Sequence, residues 1–281
     1  MVHQEAKRER RRAARRLRAV AVLAVAGACA AGLTACGGSS AKAGSASSGS
    51  ASASGRISGT VTVLAAASLQ PTFTELGKEF EAAHPGTKVA FSFGGSDSLA
   101  ASIIQGAPAD VFAAASETTM QTVTKAGDAA GTPADFARNQ LEIAVPPGNP
   151  KKITELSQLA SPELKVALCA KTVPCGAAAV KAEAAAKVSI TPVTYEQDVT
   201  SALNKVELGE VDAALVYRTD VNSAKGKVTG VPFAASAGAV TTYPIAVLKG
   251  APNPDAAAAF VALVRSAQGQ KVLAGAGFQK P

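Results

Sequence analysis

Histidine is almost missing from this chain: His3 and His84 are the only two in 281 residues. A hydrolase that pairs a nucleophile with a base needs a partner of that kind within reach. His84 sits just before Pro85, at the end of a helical pattern, where it reads as a solvent-facing residue. With two histidines and four cysteines, two of them in the leader, no ligand set for a metal ion gathers in the sequence. Aromatic residues make up 4% of the chain, so the core must come from Val, Leu, Ile, Ala and nine phenylalanines. No stripe of basic residues interleaved with aromatics occurs, which removes the usual footprint of nucleic-acid binding. A P-loop, a dinucleotide fingerprint, a nucleophile elbow and a solenoid repeat are also missing.

Positive charge is plentiful only at the start. Residues 1–18 carry Lys7, Arg8, Arg10, Arg11, Arg12, Arg15, Arg16 and Arg18, and an apolar run follows from Leu17 to Leu33. A basic start, a short hydrophobic segment and small residues before a cysteine read as an export signal. Leu33-Thr34-Ala35-Cys36 resembles the lipobox of bacterial lipoproteins, with lipid attached to Cys36. A single transmembrane anchor needs about twenty apolar residues, and Cys29 offers a poorer match for cleavage. Residues 1–35 are thus expected to be a signal peptide and 36–56 a lipidated tether, since Gly37–Gly55 is almost entirely Ser, Gly and Ala. The 28 basic and 21 acidic residues become 20 against 19 once the segment before Cys36 is set aside. The high isoelectric point is therefore a targeting property.

From Ile57 onward, short β-rich runs alternate with helical ones, the mark of a mostly parallel α/β protein. The pattern predicts strands over Val61–Leu64, Lys88–Phe93, Asp110–Ala114, Leu141–Val145, Lys165–Cys169, Val193–Tyr195, Val211–Tyr217, Lys227–Phe233 and Tyr243–Leu248. It predicts helices over Leu69–Ala83, Ser98–Gln105, Thr118–Ala126, Leu156–Ala160, Ala178–Lys187, Asp198–Leu208, Pro254–Val264 and Gln268–Ala274. Thr219–Ala224 reads as a turn. The breakers after Leu141–Val145 suit a crossing between two α/β units: a first lobe over 57–140, a second over 141–237, and a return to the first over 238–281.

Two turns stand out chemically. Val61-Thr62-Val63-Leu64 runs into a helix through Ala65-Ala66-Ala67-Ser68, placing Ser68 near unpaired N–H groups and the positive end of the helix dipole. Such a place holds an anion without lysine or arginine. Gly94-Gly95-Ser96-Asp97-Ser98 repeats the arrangement, with Ser96 able to cap the next helix. Both serines could equally be plain helix caps. Asp97 is expected to turn away from an anion and bond locally. Cys169 and Cys175, a close pair in an exported protein, are expected to be oxidised, with two free buried thiols as the other reading. Tyr217, ending a buried strand, can offer its hydroxyl to a cleft.

AAASL (Ala65–Leu69), FGGSDSLAASIIQGAPADVFAAA (Phe93–Ala115), VPCG (Val173–Gly176), ALVYRTDV (Ala214–Val221) and YPIAVLKG (Tyr243–Gly250) closely resemble the periplasmic molybdate-binding proteins of ABC importers. The resemblance implies a two-lobed, type II periplasmic-binding-protein fold, and no enzyme. It implies molybdate, or the nearly isosteric tungstate, as ligand, with no cofactor and no direct bond from protein to metal. Ser68 and Ser96 would contact the ion through hydroxyl and N–H, Cys175 and Val199 through backbone N–H, and Tyr217 through its hydroxyl. Implied partners are an ABC permease and its ATPase subunit, met by a monomer tethered to the outer face of the cytoplasmic membrane. Cys175 departs from the alanine found in the family, though the contact there is made by the backbone, and Asp97 replaces a small neutral residue. The rival readings are a receptor for sulfate, phosphate or another anion, and a surface hydrolase.

Overall fold

The structure, a computed structural model, describes residues Ile57–Pro281. The export signal, the lipidation site Cys36 and the tether fall outside the described residues.

Two five-stranded sheets carry the fold. The first is built from β1 (Gly59–Ala66), β2 (Thr87–Gly94), β3 (Val111–Ala113), β4 (Ala134–Asn139) and β10 (Thr241–Val247), in the order β2-β1-β3-β10-β4. The second holds β5 (Leu141–Val145), β6 (Val166–Cys169), β7 (Thr194–Glu196), β8 (Ala213–Tyr217) and β9 (Thr229–Val231), in the order β7-β6-β8-β5-β9. In each sheet one strand, β10 or β5, runs against the other four. The layouts match, and the reversed strand of each is the one lying next to a passage between the sheets. The chain changes sheet between Asn139 and Leu141, and again between Val231 and Thr241.

Strand periodicity decides what lies on each face of the first sheet. Val61, Val63 and Ala65 face the core that also holds Val111, Ala113 and Ile245. Leu64, Phe112 and Ala246 face the opposite side. Against the first face pack α1 (Gln70–Ala83), α7 (Pro254–Arg265) and α8 (Ala267–Ala276), while α2 (Ser96–Ile104) and α3 (Glu117–Ala126) cover the second. The scarce aromatics are concentrated here: Phe73 stands 5.8 Å from Phe136 and 5.9 Å from Phe260, ring centre to ring centre. The second of these pairs is edge-to-face, an arrangement that adds stability beyond the area it buries. The second lobe, with α4 (Pro174–Ala186), α5 (Val199–Glu207) and the short α6 (Arg218–Ser223), is packed mainly from Val, Leu, Ile and Ala.

Differences from the sequence reading have physical causes. Strand β4 was not anticipated: Ala-Asp-Phe-Ala-Arg-Asn buries only Phe136, Ala137 and Asn139, and its ladder partner β10 lies a hundred residues away. Arg218–Ser223 is a helix and not a turn, because Asp220 Oδ2 accepts the Tyr217 N–H at 2.8 Å and so closes its first turn.

Candidate functional site

One small cavity lies where the two lobes meet. The first lobe contributes Ala66–Ser68, Gly94–Ser96 and Ala115; the second contributes Val173–Cys175, Asp198, Val199 and Tyr217. All five residues expected to contact a ligand, Ser68, Ser96, Cys175, Val199 and Tyr217, are brought together here. The cavity is small, about 10 Å³ in volume.

Local sequence explains the convergence. Ala67–Leu69 forms a 3₁₀ turn that runs into α1, and Ser96 is the first residue of α2. Pro174 and Cys175 open α4, and Val199 opens α5. Four helical starts, each with a partial positive charge, therefore line one cavity. At the first three no side chain caps the first turn, so those N–H groups remain free for a guest. At the fourth, Asp198 accepts from Ser201 N at 2.9 Å and from Ser201 Oγ at 2.8 Å, which turns its carboxylate along α5. Neither Lys nor Arg lines the cavity. Among the described residues no group of three or more His, Cys, Asp or Glu is placed to hold a metal ion.

The hydroxyls differ from what capping predicts. Ser96 Oγ does not cap its helix; it accepts the Ala115 N–H at 3.0 Å, across from β3. Ser68 Oγ is 2.9 Å from the Tyr243 hydroxyl, again far away in sequence. The Tyr217 hydroxyl is buried and makes no hydrogen bond to the protein. Burial raises the pKa values of Tyr217 and Tyr243, so both phenols keep their protons. Asp97 does not line the cavity, and its Oδ1 is buried without a partner instead of bonding locally.

Cys169 ends β6 and Cys175 lies in the first turn of α4, joined by a disulfide that ties the strand end to the helix start. The lobes approach closely at Gly95, where an added Cβ would stand 2.4 Å from the Gln197 carbonyl oxygen of the second lobe.

Sequence reasoning missed several residues that hold the site, Asn139, Tyr243 and Asp220, and gave Gly95 only as part of a turn. Tyr243 sits in a recognised motif, yet nothing local to it reveals that its hydroxyl reaches Ser68. Asp220 is 4% exposed, and burial, reinforced by the nearby Asp198 and opposed by the Tyr217 N–H, raises its pKa to about 7. The folded-state value therefore exceeds the unfolded one of 3.8. The folded chain holds the extra proton between them, so this stabilising contribution is complete below the unfolded value and lost as pH rises through about 7. Asp220→Asn keeps an acceptor for Tyr217 N and removes the titration. Its thermal midpoint should fall less than the natural chain's between pH 4 and pH 7; parallel curves from thermal unfolding would contradict the assignment.

Comparison with known proteins agrees with this architecture. Residues 61–279 match the family model for bacterial extracellular solute-binding proteins. A molybdate-binding protein ModA of Mycobacterium tuberculosis (strain H37Rv) is 47% identical over 222 residues, covering 79% of this chain and 85% of the relative. The periplasmic molybdate-binding protein of Azotobacter vinelandii superposes with a TM-score of 0.69 at 20% identity, over 79% of this chain and 99% of that one. The sulfate-binding protein SubI of Mycobacterium tuberculosis also gives 0.69 at 20% identity, over 79% and 86%. At that identity the two structures speak for the fold alone, whereas the family match spans nearly every described residue. The chain belongs to the bacterial extracellular solute-binding proteins.

Proposed function

We propose that this protein captures molybdate outside the cytoplasmic membrane and delivers it to an ABC permease, energised by the permease's ATPase subunit. The observation that carries the reading is a cavity shared by both lobes, lined by hydroxyls and free helix N-termini, with no cation among its walls. An unpaired buried dianion is costly unless every oxygen finds donors, and neutral N–H and O–H groups at helix starts supply them. The relatives named as molybdate-binding support this choice of ion. Ser68, Ser96 and Tyr217 donate hydroxyl hydrogens, and Cys175 and Val199 donate backbone N–H groups. No step in this binding breaks or makes a covalent bond, and the protein acts as a carrier, not an enzyme.

Tungstate, nearly the same size, should bind about as well. Sulfate has shorter bonds to oxygen and leaves the donors of a rigid cavity too distant. Lipid at Cys36 keeps the carrier, a monomer, close to its permease, and the Cys169–Cys175 bridge holds the α4 turn at the ion.

Calorimetric titration of the full chain in detergent with molybdate, tungstate, sulfate and hydrogen phosphate tests the reading. Molybdate and tungstate should bind far more tightly than the other two. Ser68→Ala and Ser96→Ala should each weaken molybdate by about 1.5–3 kcal/mol, the worth of a buried hydrogen bond to a charged group. Full affinity in both variants would remove the two serines from the site, and a preference for sulfate would replace the proposed ion.

A further inference from the structure

Behind Ser68 lies a chain of buried polar groups that does not touch the cavity. Asn139, the last residue of β4, stands where the chain first passes between the lobes. Its Oδ1 accepts the Gln140 N–H at 3.0 Å, which fixes the amide so that Nδ2 faces the other way. That nitrogen donates to Thr219 Oγ1 at 2.8 Å and to the Tyr243 hydroxyl at 3.4 Å. Tyr243 in turn is 2.9 Å from Ser68 Oγ. All four residues are buried: Ser68 is 5% exposed, Asn139 1%, Thr219 4% and Tyr243 0%.

The direction of each bond follows from which atoms carry hydrogens. An amide nitrogen gives two hydrogens and accepts none. The Tyr243 oxygen is therefore an acceptor toward Asn139, and the phenol's own hydrogen finds an acceptor at 2.9 Å in Ser68 Oγ. With Ser68 as the acceptor, the serine's own hydrogen is left free for a ligand in the cavity. The reverse order, Ser68 donating to Tyr243, would take from the buried phenol hydrogen its acceptor at 2.9 Å. It would also turn a serine lone pair toward the ligand.

We infer that Asn139 and Tyr243 are positioning residues that free the Ser68 hydrogen for the ligand, and so favour oxyanions with every oxygen deprotonated over those that carry their own O–H group. The inference rests on the cavity being an oxyanion site and adds the residues that fix its preference. Burial raises the Tyr243 pKa, which keeps the phenol in the donating form the relay requires. Ser96 is free to donate in the same way, because its oxygen accepts the Ala115 N–H and its own hydrogen is not spent in that bond. Thr219 ties the relay to the second lobe, so the orientation of Ser68 is held from both sides of the crossing.

The test is a double-mutant cycle on the full chain in detergent, titrated with molybdate, sulfate and hydrogen phosphate. Tyr243→Phe should weaken molybdate about tenfold, and it should narrow the preference for molybdate over hydrogen phosphate by a similar factor. In a Ser68→Ala background the same change should alter both quantities by less than about twofold, since it acts only through the serine. A merely structural role for Tyr243 predicts equal losses in both backgrounds, and that additive result, or natural selectivity in Tyr243→Phe, would overturn the inference. Asn139→Leu, similar in volume, supplies a second cycle should Tyr243→Phe fail to fold, with the same two outcomes. If the natural chain binds sulfate or hydrogen phosphate but not molybdate, the proposed function falls and the cycle is read with the anion that binds. If none binds, both fall.

Discussion

A Gly95→Ala protein binds molybdate about a hundredfold more weakly than the natural chain while melting within a few degrees of it: that is the expected result of adding one methyl group between the lobes. Gly95 precedes α2 with φ −61° and ψ 130°, a conformation alanine adopts freely, so the backbone itself raises no objection. The obstacle is across the cleft. The new Cβ would stand 2.4 Å from the Gln197 carbonyl oxygen and 2.8 Å from Asp97 Oδ1. Moving the lobes apart would relieve the first contact and leave both cores undisturbed. Overpacking costs typically 1–3 kcal/mol. Charged to closure alone, the upper end of that range is about a hundredfold in affinity. Titration paired with thermal unfolding checks both halves. Affinity within about threefold of the natural chain would show that the lobes bind without this close approach.

Gly176→Ala should do the opposite and damage the fold first. Its Cβ would lie 2.0 Å from the Ala170 carbonyl oxygen and 2.6 Å from that of Cys169, both backbone atoms of the same lobe. The helix start is pressed onto the end of β6, and the disulfide one residue away keeps it there. No hinge can open to make room, so the helix must ride up against its own core. Alanine's advantage over glycine in a helix, about 1 kcal/mol, is smaller than the upper end of the overpacking cost, about 3 kcal/mol. A net loss of about 2 kcal/mol lowers the midpoint by roughly 4–8 °C for a domain of this size. A midpoint unchanged within about 2 °C would mean that α4 is not seated as described. The two glycines thus separate closure from stability with the same one-carbon substitution.

Much of the scaffold could be read from the chain because it is encoded locally. Leu141–Val145 is a buried run flanked by breakers, and the strand occupies those same residues. The convergence of Ser68, Ser96, Cys175, Val199 and Tyr217 was approached from serine turns and from family motifs, and all five line one cavity. What escaped is encoded at a distance. Each serine hydroxyl looked like a helix cap, the usual use of a serine beside a helix start. Their actual partners, Ala115 N and Tyr243, are supplied by other strands. Likewise Ala134–Asn139 has no continuous apolar run and becomes a strand only because β10 lies beside it. Asp97 resisted for a different reason: local rules expect its carboxylate to be satisfied, and one oxygen is left without a donor.

Strand β10 lies between β3 and β4, and β4 has no other ladder partner in the sheet. All five strands of the second sheet, by contrast, come from the continuous segment between Leu141 and Val231. Local contacts form before distant ones, because long loops are slow to close. The second lobe should therefore assemble early, whereas the first waits for almost the last fifty residues to emerge. A chain released after Val231 would expose the open edge of β3 together with an orphaned β4, the kind of surface that recruits strands from other molecules. The C-terminal segment is what joins β4 to the rest of its sheet, and a chain that lacks it should aggregate.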